Sequence, residues 1–110
     1  MIRLRDRLLL EAPQQVPDGA GGWRNHWQIL GELWAAITPA SVGETAFGGR
    51  EVGLTRYRIT VRAAPMGSDR RPRAGARFRK GSRIFEVQAV READAAARYL
   101  TCLVEERDFA

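Results

Sequence analysis

The run GARFRKGSRIFEVQAV, from Gly75 to Val90, is the clearest two-stranded hairpin in the chain. Phe78 precedes a Lys80-Gly81-Ser82 turn, and Ile84, Phe85, Val87 and Val90 follow in strand-like spacing. Glycine supplies the positive φ that tight hairpin connections need, and the flanking aromatic and β-branched residues suit a half-buried pleated surface. A two-stranded hairpin is at best marginally stable in water, so other strands must cover it.

The chain offers such strands on both sides. Leu4 to Ala12 alternates, with Leu8, Leu10 and Ala12 on one face and Arg5, Arg7, Leu9 and Glu11 on the other. Trp23 to Thr38 can be forced into a helix by Trp23, Trp27, Leu30 and Trp34. Gly31 and the alternation Leu33, Ala35, Ile37 favour instead a strand bulged near Gly31, with the tryptophans mostly in the core and on the sheet face. Leu54 to Ala63 is the best single strand, with Tyr57, Ile59, Val61 and Ala63 inward and Arg56, Arg58, Thr60 and Arg62 outward. Arg98 to Glu106 closes the set, and Glu105 to Ala110 reads as a mobile acidic tail. About six short strands joined by Gly- and Pro-rich turns predict an all-β fold: a small antiparallel barrel or sandwich with long loops.

The connections carry the functional interest. Pro13 to Gly22 and Ala64 to Ala74 read as exposed loops, the second bearing Arg70, Arg71 and Arg73. Arg91 to Ala97 reads as a polar connection with room for a short helical turn. Pro39 to Gly53 is long for a compact domain and poor in core residues, and Ser41 and Glu44 stand at the spacing of a helix capping box. Phe47 beside Gly48 and Gly49 puts an apolar residue next to a hinge.

Length and charge bound the function. The 110 residues suffice for one domain with a modest core. No apolar run approaches the roughly 20 residues of a membrane helix, and Leu8 to Leu10 is too short for a signal-peptide core, which implies cytosolic folding without a membrane partner. The formal charge of +5 is unevenly spread. Arg50 to Arg83 holds eleven basic residues against Glu51 and Asp69, or +9, and the remainder carries −4. Such asymmetry points to an anionic partner, nucleic acid or acidic protein. The stripe of Arg56, Arg58 and Arg62 is read either as a solvated strand face or as a surface for that partner. Only one of the 18 basic residues is lysine, which suits phosphate recognition and equally fits coding bias.

Chemistry is sparse. His26 is the sole histidine and Cys102 the sole cysteine, so a zinc site, a histidine-based triad and an internal disulfide are all hard to build. Cys102, between Leu100 and Val104, reads as an inert buried thiol. No phosphate-binding P-loop pattern is present. No catalytic residue, metal or cofactor is expected.

The order of elements resembles the head-tail joining, or head-completion and stopper, proteins of tailed bacteriophages. The likeness runs through Leu4-Arg5-Asp6-Arg7, Gly21-Gly22 leading to Trp27, Trp34-Ala35-Ala36-Ile37-Thr38-Pro39, Thr55 to Arg62, and the Gly81 to Val87 hairpin. It implies a ring-forming barrel, a hexamer in preference to a dodecamer, in the virion neck of a phage or a phage-like particle such as a gene transfer agent. Such a ring is made in the host cytoplasm. It sits below the portal and its adaptor and above a tail terminator or tail tube protein, with double-stranded DNA in its channel. The resemblance also implies a channel-closing loop at Pro39 to Gly53, giving Glu44, Thr45, Phe47, Gly48, Gly49 and Arg50 as candidates. Arg56, Arg58, Arg62, Arg70, Arg71 and Arg73 are candidates for facing DNA or protein neighbours. The competing reading is a small nucleic-acid-binding barrel.

Overall fold

A computed structural model describes residues 3–47 and 50–108. Six strands run β1 (Asp6–Pro17), β2 (Trp23–Phe47), β3 (Arg50–Arg62), β4 (Arg77–Lys80), β5 (Arg83–Glu92) and β6 (Tyr99–Asp108). All pairs are antiparallel, and the order β1-β2-β3-β6-β5-β4 closes into a barrel through Leu9↔Arg79, Leu10↔Phe78 and Glu11↔Arg77. The starting hairpin is present: Lys80 pairs with Arg83 across Gly81-Ser82, and Gly81 takes φ 60°. A glycine at the first central position is what a two-residue turn of this hand requires.

The core is the meeting of the inward rows. Leu8 and Leu10 of β1, Ala35 of β2, Ile59 and Val61 of β3, Phe78 of β4, Phe85 and Val87 of β5, and Leu100, Cys102 and Val104 of β6 are all buried. Tyr57 meets the Phe85 ring edge-to-face, centroids 5.5 Å apart, the geometry that the ring quadrupoles favour. The expected faces of β1 and β3 are therefore those observed. Cys102 is fully buried, and burial pushes its thiol pKa up to about 12, which fits an inert thiol.

Three bulges shape the barrel. Leu30 is the extra residue where Leu10 pairs with Gly31 and Glu11 with Ile29, the irregularity expected beside Gly31. Ala40 and Gln88 are extra in β2 and β5. Each bulge bends its strand and shifts the in–out phase. The reading of the tryptophans is corrected: Trp34 alternates with Leu33, Ala35 and Ile37 and so faces outward, and Trp23 lies beyond the Leu30 bulge. Trp23 and Trp34 are 67% and 52% exposed, so neither belongs to the core.

Several expected loops prove to be strand. Pro13 to Pro17 continues β1, tolerable because an edge strand needs no N–H on its open side. The true connection is Asp18 to Gly22, where the Asp18 carboxylate accepts hydrogen bonds from the amides of Ala20 (2.8 Å) and Gly22 (3.0 Å). Ser41 to Phe47 is not a helical turn but the end of β2, laddered onto β3 as far as Phe47↔Arg50. The capping-box spacing loses to the strand register propagated from Ala35. Arg91 and Glu92 extend β5 rather than starting a helical turn, and the described residues contain no helix. Glu105 to Asp108 is not a loose tail but the end of β6, paired with β3 along Gly53↔Asp108 to Arg56↔Glu105.

Candidate partner-facing surface

The outer face of the barrel sorts the arginines by what each already binds. Arg56 is committed to Glu105 at 3.1 Å. Arg71 donates to the carbonyl oxygen of Ala64 at 3.0 Å, and Arg70 reaches that of Glu32 at 3.4 Å. Arg70 fastens the 64–74 segment to β2, Arg71 ties the segment to its own start, and Pro72 within it is fully buried, so the segment is not the free loop expected. Arg58, Arg62 and Arg73 are exposed, and their guanidinium groups carry no hydrogen bond or ion pair among the described residues.

The register gathers further unneutralised arginines around Arg58. One outward row runs Thr38, Arg58, Leu103, Ala89, and the next runs Ala36, Thr60, Thr101, Arg91. A shallow hollow of about 180 Å³ is lined by Arg58, Ala89, Arg91, Thr101 and Leu103. Across β2, Arg3 and Arg5 border Ala36, Thr38 and Thr60. The face thus has a floor of small side chains edged by Arg3, Arg5, Arg58 and Arg91, with Arg62 beside Trp34 at its end. Each uncompensated guanidinium keeps five donors free for an anionic or carbonyl-rich partner. Sequence reading missed Arg3, Arg5 and Arg91, because only the strand pairing brings the segment before β1 beside β3 across β2, and β5 beside it across β6.

A second charged region, further along β5 and β6, is internally balanced. A cleft of about 640 Å³ is bordered by Trp27, Arg77, Arg83, Glu86, Glu106 and Arg107. Its arginines are engaged: Arg77 with Glu11 at 2.7 Å, Arg83 with Glu106 at 2.8 Å and Arg107 with Glu86 at 3.9 Å. Arg83 also lies over the Phe85 ring and approaches the Tyr57 hydroxyl. The hydrogen bond from Arg83 holds the Glu106 carboxyl below its ordinary 4.5, and the same bond raises the pKa of Arg83. Above about pH 4.5 this pair stabilises the fold in full. As pH falls, the unfolded chain protonates first, and the stabilisation is lost on passing through the lower folded pKa. Glu106→Gln should therefore flatten the fall of stability on the acid side of about pH 4.5, as read by urea midpoints at successive pH values. An unchanged acid slope would show that other carboxylates govern it.

Glu11 is the residue that sequence reading most underestimated. It sits on the outer face, as expected, yet its side chain is only 4% exposed. Arg77 Nε lies 2.7 Å from Oε1 and Arg79 Nη2 3.2 Å from Oε2, and the Arg77 guanidinium stacks on Trp27 at 4.0 Å. Two arginines of β4 and a tryptophan of β2 bury a β1 carboxylate that alternation alone would leave in water.

Of the candidate channel residues, Glu44, Thr45, Phe47 and Arg50 lie in the distal β2–β3 ladder, with Glu44↔Gly53, Thr45↔Val52 and Phe47↔Arg50. Gly48 and Gly49 lie outside the described residues. Among the described residues no group of three or more His, Cys, Asp or Glu side chains is gathered as a metal site would need.

Fold and surface together define a small closed β-barrel with one uncompensated basic face. The chain belongs to the phage head completion protein family, whose model matches residues 1–107, and as a member it is a structural protein of phage-type particles. It is similar to a chain in the virion of a native gene transfer agent particle, at 44% identity over 100% of both chains with a TM-score of 0.88. It is also similar to a Shigella flexneri 2a protein solved in solution, at 25% identity over 94% of this chain and 93% of that one, TM-score 0.66. The search of curated proteins gave no match.

Proposed function

We propose that the chain acts as one non-catalytic domain that forms a ring in the neck of a tailed phage or gene transfer agent particle, retaining packaged DNA and presenting a docking surface to the tail. The observation that carries this reading is the full-length likeness to a chain of a gene transfer agent virion within the head completion family. A hexamer is favoured over a dodecamer. The portal or adaptor stands above the ring and a tail terminator or tail tube protein below it, and assembly takes place in the host cytoplasm. The distal β2–β3 hairpin reaches the axial channel: Phe47 supplies apolar closure, Gly48 and Gly49 the hinge, and Arg50 a contact to DNA phosphate.

The basic face is assigned to a protein neighbour with acidic side chains. A dense row of free guanidiniums lining the channel would hold phosphates and oppose the passage of DNA. The small floor of Ala36, Thr38, Thr60 and Thr101 suits close packing of a protein surface between arginine rims.

Electron microscopy of particles from a strain lacking the gene, with head DNA scored in the same samples, tests the reading. Separate complete tails and emptied heads are expected. Intact tailed particles with full heads would overturn it and favour the nucleic-acid-binding barrel.

A further inference from the structure

β2 is a 25-residue strand that changes neighbours midway. Ala35 pairs with both Asp6 of β1 and Val61 of β3. Among the described residues, β2 pairs before it only with β1 and after it only with β3. Each half therefore has one open hydrogen-bonding edge, and the two edges lie on opposite sides of the same strand. The first is partly covered, because the 64–74 segment rests on it at Leu30 and Glu32. Arg3 and Arg5 flank the second at Ala36 and Thr38. What stays open among the described residues is Trp23 to Ile29 on one side and Ser41 to Ala46 on the other.

Natural proteins blunt open edges with prolines and charges, and this chain does so selectively. The open edge of β1 carries Pro13 and Pro17, and Pro39 interrupts the middle of β2. Neither open segment of β2 contains a proline. Each has a single formal charge, Arg24 in the first and Glu44 in the second, in a chain that is 28% charged. Charge depletion with exposed aromatic and aliphatic side chains marks the centre of a protein interface. Trp23 is 67% and Ile29 54% exposed, on a ribbon that two strands alone cannot stabilise in water.

We propose that the two open edges of β2 pair with each other between neighbouring copies: Trp23 to Ile29 of one copy adds as a strand to Ser41 to Ala46 of the next. This rests on the ring reading above and names the contact that builds the ring. The edges are unlike and face opposite ways, so the contact is head-to-tail, the kind that closes into a ring when the rotation permits. The charges are complementary, since the one cation of the first segment meets the one anion of the second. The arrangement also accounts for the length of β2, because a strand confined to the barrel would leave neither edge projecting. The flanks of the β2–β3 hairpin then bind the neighbour while its tip stays with the channel.

Disulfide trapping in assembled particles tests the contact, using Arg24→Cys and Glu44→Cys. Cys102 can be retained, because its buried thiol is held out of exchange. The double variant should give a ladder of covalent oligomers up to the closed ring on non-reducing gels. Particles from co-expressed single variants should give dimers only, and either single variant alone should give monomers. Cross-linking of one single variant with itself would show a two-fold contact and overturn the proposal. A second measurement does not depend on the chosen register: amide exchange of Trp23 to Ile29 should slow at least tenfold from free chain to ring. Rings that form with no ladder and with exchange unchanged overturn this contact and leave the ring reading standing, with another neck protein as occupant of the edges. Absence of any ring in the particles overturns both.

Discussion

Glu11→Ala should lower the free energy of unfolding by about 3 kcal/mol, the low end of the roughly 3–5 kcal/mol seen when one partner of a buried ion pair is removed. The argument rests on what the substitution leaves behind. Arg77 and Arg79 converge on Glu11 from 2.7 and 3.2 Å, and removal of the carboxylate leaves two guanidiniums over a void. Arg79 Nε is already buried without a hydrogen-bond partner, so that side chain has little capacity for a further loss. The low end is chosen because Arg77 and Arg79 are 19% and 37% exposed and can recover some hydration. Glu11→Gln keeps an acceptor in place and should cost about half as much. The contrast is Glu32→Ala, which breaks the pair with Arg7; there both side chains are more than half exposed, and a change within about 0.5 kcal/mol is expected. Urea unfolding of the three variants gives the comparison. A Glu11→Ala loss under about 1 kcal/mol would mean that the cluster is solvated and contributes little.

Deleting Thr45 to Arg50 should leave rings and head–tail joining in place while heads lose their DNA. The deletion removes the channel-facing tip and the last two residues of the proposed strand contact, Thr45 and Ala46, but leaves Ser41 to Glu44 and the barrel register intact. A single-residue control separates closure from hinge: Phe47→Ser should weaken retention with no effect on ring assembly. Quantifying head DNA in purified tailed particles decides the matter, and wild-type retention by the deletion variant would remove the channel assignment from this hairpin.

The parts legible in the sequence were those governed by local rules. The Gly81 turn, the alternation of Tyr57, Ile59 and Val61, and the irregularity beside Gly31 all appear in the structure where residue pattern placed them. The errors fell where local preference competed with register. Ser41 to Phe47 has glycine and capping signals, yet the β3 ladder supplies backbone partners that a helical turn would forgo. Glu105 and Glu106 read as a solvated tail because nothing in their neighbourhood shows that Arg56 and Arg83 stand opposite.

By itself, the sequence determined an all-β chain of about six strands, the inward rows of its main strands, and a likeness to the head completion family. Side-chain alternation and turn chemistry act over a few residues, so they can be read without knowing the neighbours. Only the tertiary structure decided which arginines are already neutralised, that Arg3, Arg5 and Arg91 join the β3 stripe on one face, that Glu11 is buried, and that β2 keeps two open edges. Each of these depends on which residues of distant strands stand opposite one another, and barrel closure and bulges set that register across the whole chain.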